Sequence, residues 1–144
     1  MVELSIITVF KGDPADLFKT VQSSIGFLKT GRVELLIFSA TELSNEQLKE
    51  LDDFGVKFHL SNAQLYEAMN LGLDNCSGDY VIFMNAGDCF ADDKALACVD
   101  ALPSADLLVG NLVLRESGKL CEFPDTLPPD YLLHCMLPHQ ATFF

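Results

Sequence analysis

Short apolar runs alternate with amphipathic segments along nearly the whole chain, and this alternation restricts the fold more than any other feature. Leu4 to Phe10 (LSIITVF) is a continuous apolar, β-branched run, as expected of a strand buried on both faces. Asp13 then reads as an N-cap before Pro14 at the first helical position. Leu17, Val21, Ser24, Ile25 and Leu28 recur at helical spacing until Gly31. Further strands are expected at Val33 to Phe38, Val56 to Leu60, Val81 to Met84 and Asp106 to Leu114. Ser44 to Gln47 and Ser61 to Gln64 read as capping boxes opening two helices, and another helix is expected from about Asp92 to Leu102. Ser117-Gly118 reads as a hairpin turn, Tyr131 to Leu137 as a short helix and His139 to Phe144 as a last strand. The alternation predicts a three-layer α/β/α, Rossmann-like domain with a mainly parallel central sheet holding 4–10, 33–38, 56–60, 81–84 and 106–113.

With 144 residues, the chain supports one domain spanning 1–144. Its 9 Lys and Arg against 21 Asp and Glu give a net charge of −12, which excludes a basic nucleic-acid footprint. An anionic membrane surface also repels such a chain, so any peripheral membrane association would run through a partner. A phosphate-bearing ligand would need backbone amides or a bridging divalent cation to screen that charge. The five cysteines are odd in number and lack CxxC spacing, which fits reduced thiols in a cytoplasmic protein. His134, Cys135 and His139 superficially suggest a zinc cluster, but Pro138 interrupts any helix that would align them. LSIITVF is too short for a signal h-region, and the apolar ending ATFF reads as a longer protein cut inside a strand.

Ligands of parallel sheets bind beyond the carboxyl ends of the strands, here at 10–13, 39–42, 61–64 and 85–88. Asp88 lies in a glycine-containing turn at one of these edges. A carboxylate there can hold Mg²⁺ or Mn²⁺, or it can serve as a turn or helix-capping residue.

The stretch LYEAMNLGLDNCSGDYVIFMNAGDCF, residues 65–90, resembles the inverting GT-A glycosyltransferases of family 2, most closely the colanic-acid and exopolysaccharide type. The matching residues are Tyr66-Glu67-Ala68-Met69-Asn70, Gly78-Asp79-Tyr80 and Met84-Asn85-Ala86-Gly87-Asp88. LSIITVF and the closing HQATFF resemble two further segments of that family. The resemblance implies a GT-A fold and transfer of a sugar from a nucleoside-diphosphate donor to the hydroxyl of a glycan or lipid-linked acceptor in polysaccharide biosynthesis.

The same resemblance implies that Asp88 contacts the metal within a DxD-like motif, with Asn85 where many relatives carry the first Asp. It puts Thr8 and Phe10 at the nucleotide base, Phe10 as a stacking surface or a core residue, and Gln64 and Asn70 along the nucleotide. Asn70 can equally bond neighbouring backbone. Ser39 takes the place of a base-binding Asp, and His139 is expected on the acceptor side. The family's catalytic base lies in an acidic motif that this sequence does not show, so no base is assigned. Glu67 could face the site; Asp52-Asp53 and Asp92-Asp93 read as solvated or capping, and His59 as a strand-end residue.

A rival reading is a non-catalytic nucleotide-sugar-binding or interaction domain on a degenerate GT-A fold, favoured by Ser39, Asn85 and the missing acidic motif. A phospho-acceptor receiver domain is excluded, because the first strand ends in Phe10-Lys11 and not in an acceptor Asp.

Overall fold

A computed structural model of the chain describes residues 1–92, 95, 97–102, 106–124, 126–131 and 136–144. Its first half is built from strands β1 (Leu4–Phe10), β2 (Val33–Ser39), β3 (Lys57–Leu60) and β4 (Tyr80–Phe83). Helices α1 (Pro14–Leu28), α2 (Asn45–Asp53) and α3 (Leu65–Asn75) connect them. The four strands form one all-parallel sheet in the order β3-β2-β1-β4. The chain therefore runs outward from β1 to β3 and then returns to β1's other side, which puts a topological switch point between β1 and β4.

Alternate residues of the strands feed two cores. Leu4, Ile6 and Phe10 of β1 join Leu17, Val21 and Phe27 of α1 and Leu51 of α2 on one face. Ile7, Leu36, Phe38 and Val81 meet Ala68 of α3 on the other, which makes the three layers. Local sequence sets the helix ends as expected. Asp13 accepts a hydrogen bond from the Ala15 amide at 2.9 Å, with Pro14 opening α1. Ser44 and Gln47 complete a reciprocal capping box on α2.

The start of one helix and the course of one strand need correction here. The helix after β3 starts at Leu65, with Gln64 as its N-cap and the Gln64 amide donating to Glu67 at 3.3 Å. Ser61 does not cap it, because its hydroxyl accepts from the Ala63 amide two residues on. Nor is 106–113 a single strand of the central sheet. It divides into β5 (Leu108–Val109) and β6 (Leu112–Leu114) around Gly110. β6 pairs with β7 (Lys119–Cys121) through the expected hairpin, where Gly118 takes φ +64°. β5 runs antiparallel to β8 (Thr142–Phe143), and Phe144 exchanges both backbone hydrogen bonds with Val81, so this pair adjoins the β4 edge.

A five-residue helix α4 (Ala97–Ala101) lies within the expected 92–102 segment, and its Val99 joins the larger core. Asp93, and His134 and Cys135 within the expected 131–137 helix, fall outside the described residues. Cys76, Cys89, Cys98 and Cys121 are free thiols, and burial pushes the Cys98 thiol up to about 11. Among the described residues no helix is long and apolar enough to cross a membrane.

The turn into β4 packs directly on β1. A Cβ added at Gly78 would lie 2.7 Å from the Ser5 nitrogen and 2.8 Å from the Leu4 carbonyl carbon. Both are backbone atoms inside a sheet, so they cannot swing aside. Gly78→Ala is expected to destabilise the chain by about 1–3 kcal/mol, read as a lowered melting temperature. An unchanged melt would mean that the turn relaxes freely.

Candidate nucleotide-sugar site

The switch point gathers the carboxyl ends of β1 and β4, and the loop after β4 carries Asn85, Ala86, Gly87 and Asp88. The loop is a closed turn. The Asp88 amide donates to the Asn85 carbonyl at 3.0 Å, and the Asn85 amide donates back to Asp88 Oδ2 at 3.2 Å. Gly87 supplies the left-handed conformation this needs, with φ +99°.

Thr20, fully buried on α1, meets the loop from the helix side. Its one hydroxyl proton faces two acceptors, the Asp88 carbonyl at 2.7 Å and, more distant, the Asn85 carbonyl at 3.3 Å. The hydroxyl oxygen also accepts from the Gly87 amide at 2.9 Å.

Asp88 is half-buried, and its second oxygen, Oδ1, has no hydrogen-bond partner among the described residues. Asp16, the carboxylate beside Gly87, is instead bound to Lys19 at 2.6 Å, which holds its carboxyl below the usual range. Among the described residues no three metal-ligating side chains cluster together. The residues therefore do not form a closed protein cage. They fit a Mg²⁺ or Mn²⁺ ion held by one carboxylate and completed by phosphate and water oxygens, the usual arrangement for Mg²⁺ at phosphates.

His139 completes the group: its Nε2 lies 3.3 Å from Asn85 Nδ2. His139 was expected in a strand but belongs to a 3₁₀ turn, His139–Ala141. The Pro138 carbonyl draws this turn closed by accepting from the Ala141 amide and the Thr142 hydroxyl.

The other expected site residues are more scattered. Thr8 is fully buried, and its hydroxyl is without a hydrogen-bond partner among the described residues. Phe10 is 2% exposed within the larger core, so it packs and does not present a stacking face. Ser39, paired with Phe10 in register, donates its hydroxyl to the Thr41 carbonyl at 2.6 Å and accepts from the Thr41 amide at 2.9 Å. Gln64 and Asn70 are exposed at the start and middle of α3, and no hydrogen bond among the described residues joins them to the 85–88 loop. Glu67 is taken up by the α3 cap, and the His59 ring stacks on Phe38 at 4.8 Å. Thr20 was not foreseen. The available signal was a hydroxyl three residues after Leu17 on the buried stripe, since a buried polar group needs a partner.

Comparison with known proteins bears on the family and the fold. The family model for glycosyl transferase family 2 matches residues 5–133. The crystal structure of S. aureus TarS 1-349 superposes with a TM-score of 0.63 at 15% identity, covering 75% of this chain and 35% of that one. TarS 1-349 in complex with UDP-GlcNAc gives 0.63 at 14% identity, covering 75% of this chain and 34% of that one. The crystal structure of S. aureus TarS gives 0.65 at 13% identity, over 88% of this chain and 24% of the other. The chain thus spans about a third or less of the length of these structures. A comparison with curated proteins finds no match. The shared sheet and flanking helices make the fold GT-A, and the match over most of the sequence shows that this chain belongs to glycosyl transferase family 2.

Proposed function

We propose that the chain binds a nucleoside-diphosphate sugar at the β1/β4 switch point and serves inverting transfer of that sugar to an acceptor hydroxyl on a glycan or lipid-linked acceptor. The observation that carries this reading is the Asp88 carboxylate, with one oxygen unengaged among the described residues in a loop fixed from two sides. Asp88 would hold a Mg²⁺ or Mn²⁺ ion, which supplies positive charge against the diphosphate leaving group. In a chain of net charge −12 that local reversal of sign is what admits a diphosphate. Asn85 adds a neutral amide where many relatives carry a carboxylate, and His139 shapes the acceptor side beside it. TarS is crystallised with UDP and with UDP-GlcNAc, which makes uridine donors the first to test.

The non-catalytic reading keeps one specific support. The Ser39 hydroxyl is committed both ways to Thr41, so it offers a base little recognition. A calorimetric panel of nucleoside-diphosphate sugars, with Mn²⁺ and with EDTA, tests the proposal. Saturable binding of at least one donor that EDTA abolishes is the expected result. Absence of binding to every donor would overturn it.

A further inference from the structure

The loop that carries Asn85 and Asp88 is held less by its own residues than by α1. The single buried Thr20 hydroxyl donates its one proton to the Asp88 carbonyl at 2.7 Å, with the Asn85 carbonyl as a second, longer acceptor at 3.3 Å, and accepts from the Gly87 amide. Three residues on, the Ser23 hydroxyl accepts from the Phe90 amide at 3.2 Å while donating to the Thr20 carbonyl at 2.9 Å. Two neighbouring hydroxyls of one helix thus bind backbone groups at 85, 87, 88 and 90. Ser24 provides the contrast. It is just as buried, yet its hydroxyl donates at 2.9 Å to the Thr20 carbonyl of its own helix and, among the described residues, makes no bond to the loop.

We infer that Thr20, assisted by Ser23, is the positioning residue of the donor-phosphate loop: it fixes the backbone that carries Asn85 and Asp88 to the β4 side of the switch point. This rests on the proposed function for what the loop does, though not for how the loop is held. A hydroxyl is required because the loop offers both acceptors and a donor to one atom. Valine, of the same shape, offers neither. Thr20 is fully buried and the valine methyl fills the place of its hydroxyl, so Thr20→Val also lowers the melting temperature, which is why the melt is read beside the other two measurements. Placement of the loop carries a separate cost, since a misplacement near 1 Å at a binding or reacting group can lose on the order of a hundredfold.

The test uses the whole chain as Thr20→Val, Thr20→Ser, Ser23→Ala and Ser24→Ala. Two readouts are taken beside a thermal melt: amide hydrogen exchange over 85–90, and titration with UDP in the presence of Mn²⁺. Thr20→Val should speed exchange at Gly87 and its neighbours and weaken Mn²⁺-dependent UDP binding on the order of ten- to a hundredfold. Ser23→Ala should do the same more weakly, with its effect centred on Phe90, and it stands in if Thr20→Val fails to fold. Thr20→Ser should restore both readouts, and Ser24→Ala should leave both at the wild-type level whatever it does to the melt. Unchanged exchange over 85–90 in Thr20→Val would overturn the inference without any ligand. Loss of UDP binding in Ser24→Ala equal to that in Thr20→Val would also overturn it, reducing Thr20 to a stability residue. If the wild-type chain binds no UDP while the exchange results follow the pattern above, the proposed function fails and the loop clamp stands.

Discussion

Asp88→Ala is expected to remove the metal-dependent part of nucleoside-diphosphate binding, a loss of about 2–4 kcal/mol, or roughly 30- to 1,000-fold in affinity. The same substitution also deletes the acceptor of the Asn85 amide at 3.2 Å. Because Asn85 is exposed, water takes over that bond, and the stability cost should stay near about 1 kcal/mol. Asp88→Asn separates the two roles. It keeps an oxygen for the Asn85 amide and discards the charge, so it should lose binding as alanine does while melting like the wild type. If instead Asp88→Asn binds UDP normally in Mn²⁺ and both variants differ only in stability, Asp88 is a turn residue and no more.

Glu34→Ala is expected to lower stability by about 1–3 kcal/mol, the range for leaving buried donors without their acceptor, because its cationic partner Lys57 is half-exposed and is rehydrated. Glu34 is 7% exposed on β2, and its Oε1 accepts from the Ser5 hydroxyl at 2.6 Å and from the Ser77 amide and hydroxyl at 2.6 and 2.8 Å. Lys57 of β3 binds its other oxygen at 2.6 Å, so one carboxylate joins β1, β2, β3 and the turn into β4. Burial by itself would raise its pKa, but the hydrogen bonds from Lys57, Ser5 and Ser77 outweigh burial and hold the carboxyl down at about 2. A folded value below the unfolded one, about 4.3, means the contribution is fully present above pH of about 4.3. It is lost as pH falls from there through about 2. Urea unfolding across that window should show a steeper acid loss in the wild type than in Glu34→Gln. Parallel pH profiles would contradict the assignment of this linkage to Glu34.

How much the residues revealed depended on how local the deciding interaction was. β1, α1, β2 and α2 were readable because each is fixed by its own apolar pattern and its own cap, as with Asp13 on Ala15 and Ser44 on Gln47. The start of α3 was misplaced because Ser61-x-x-Gln64 matches the capping-box pattern, whereas the N-cap that forms is Gln64, a residue type outside that pattern. The 106–114 run failed for a different reason. Its apolar residues suit a strand, but β5 is defined by a partner at 142–143, and Gly110 turns its amide to the Ala141 carbonyl at 2.6 Å. No local pattern carries that pairing.

The site divides in the same way. The residues of 65–90 led to Asp88 and Asn85 through their motif and their place after a buried strand. Thr20 reaches the Asn85 and Asp88 carbonyls across 65 and 68 residues, and His139 meets Asn85 across 54. Glu34 is similar, an acidic residue inside VELLIF whose partners lie on other segments. A polar residue inside an apolar stripe was the sign in both cases, and it announces that a partner exists without naming it.

Anomalous diffraction from crystals of the chain grown with Mn²⁺ and UDP tests the Asp88 metal site most directly. With Asp88 as the cation's anchor, a manganese peak is expected within about 2–2.5 Å of an Asp88 carboxylate oxygen, bridged to the diphosphate at the β1/β4 switch point. Ordered UDP at that point with no manganese on Asp88, or manganese and UDP ordered elsewhere on the chain, would contradict it.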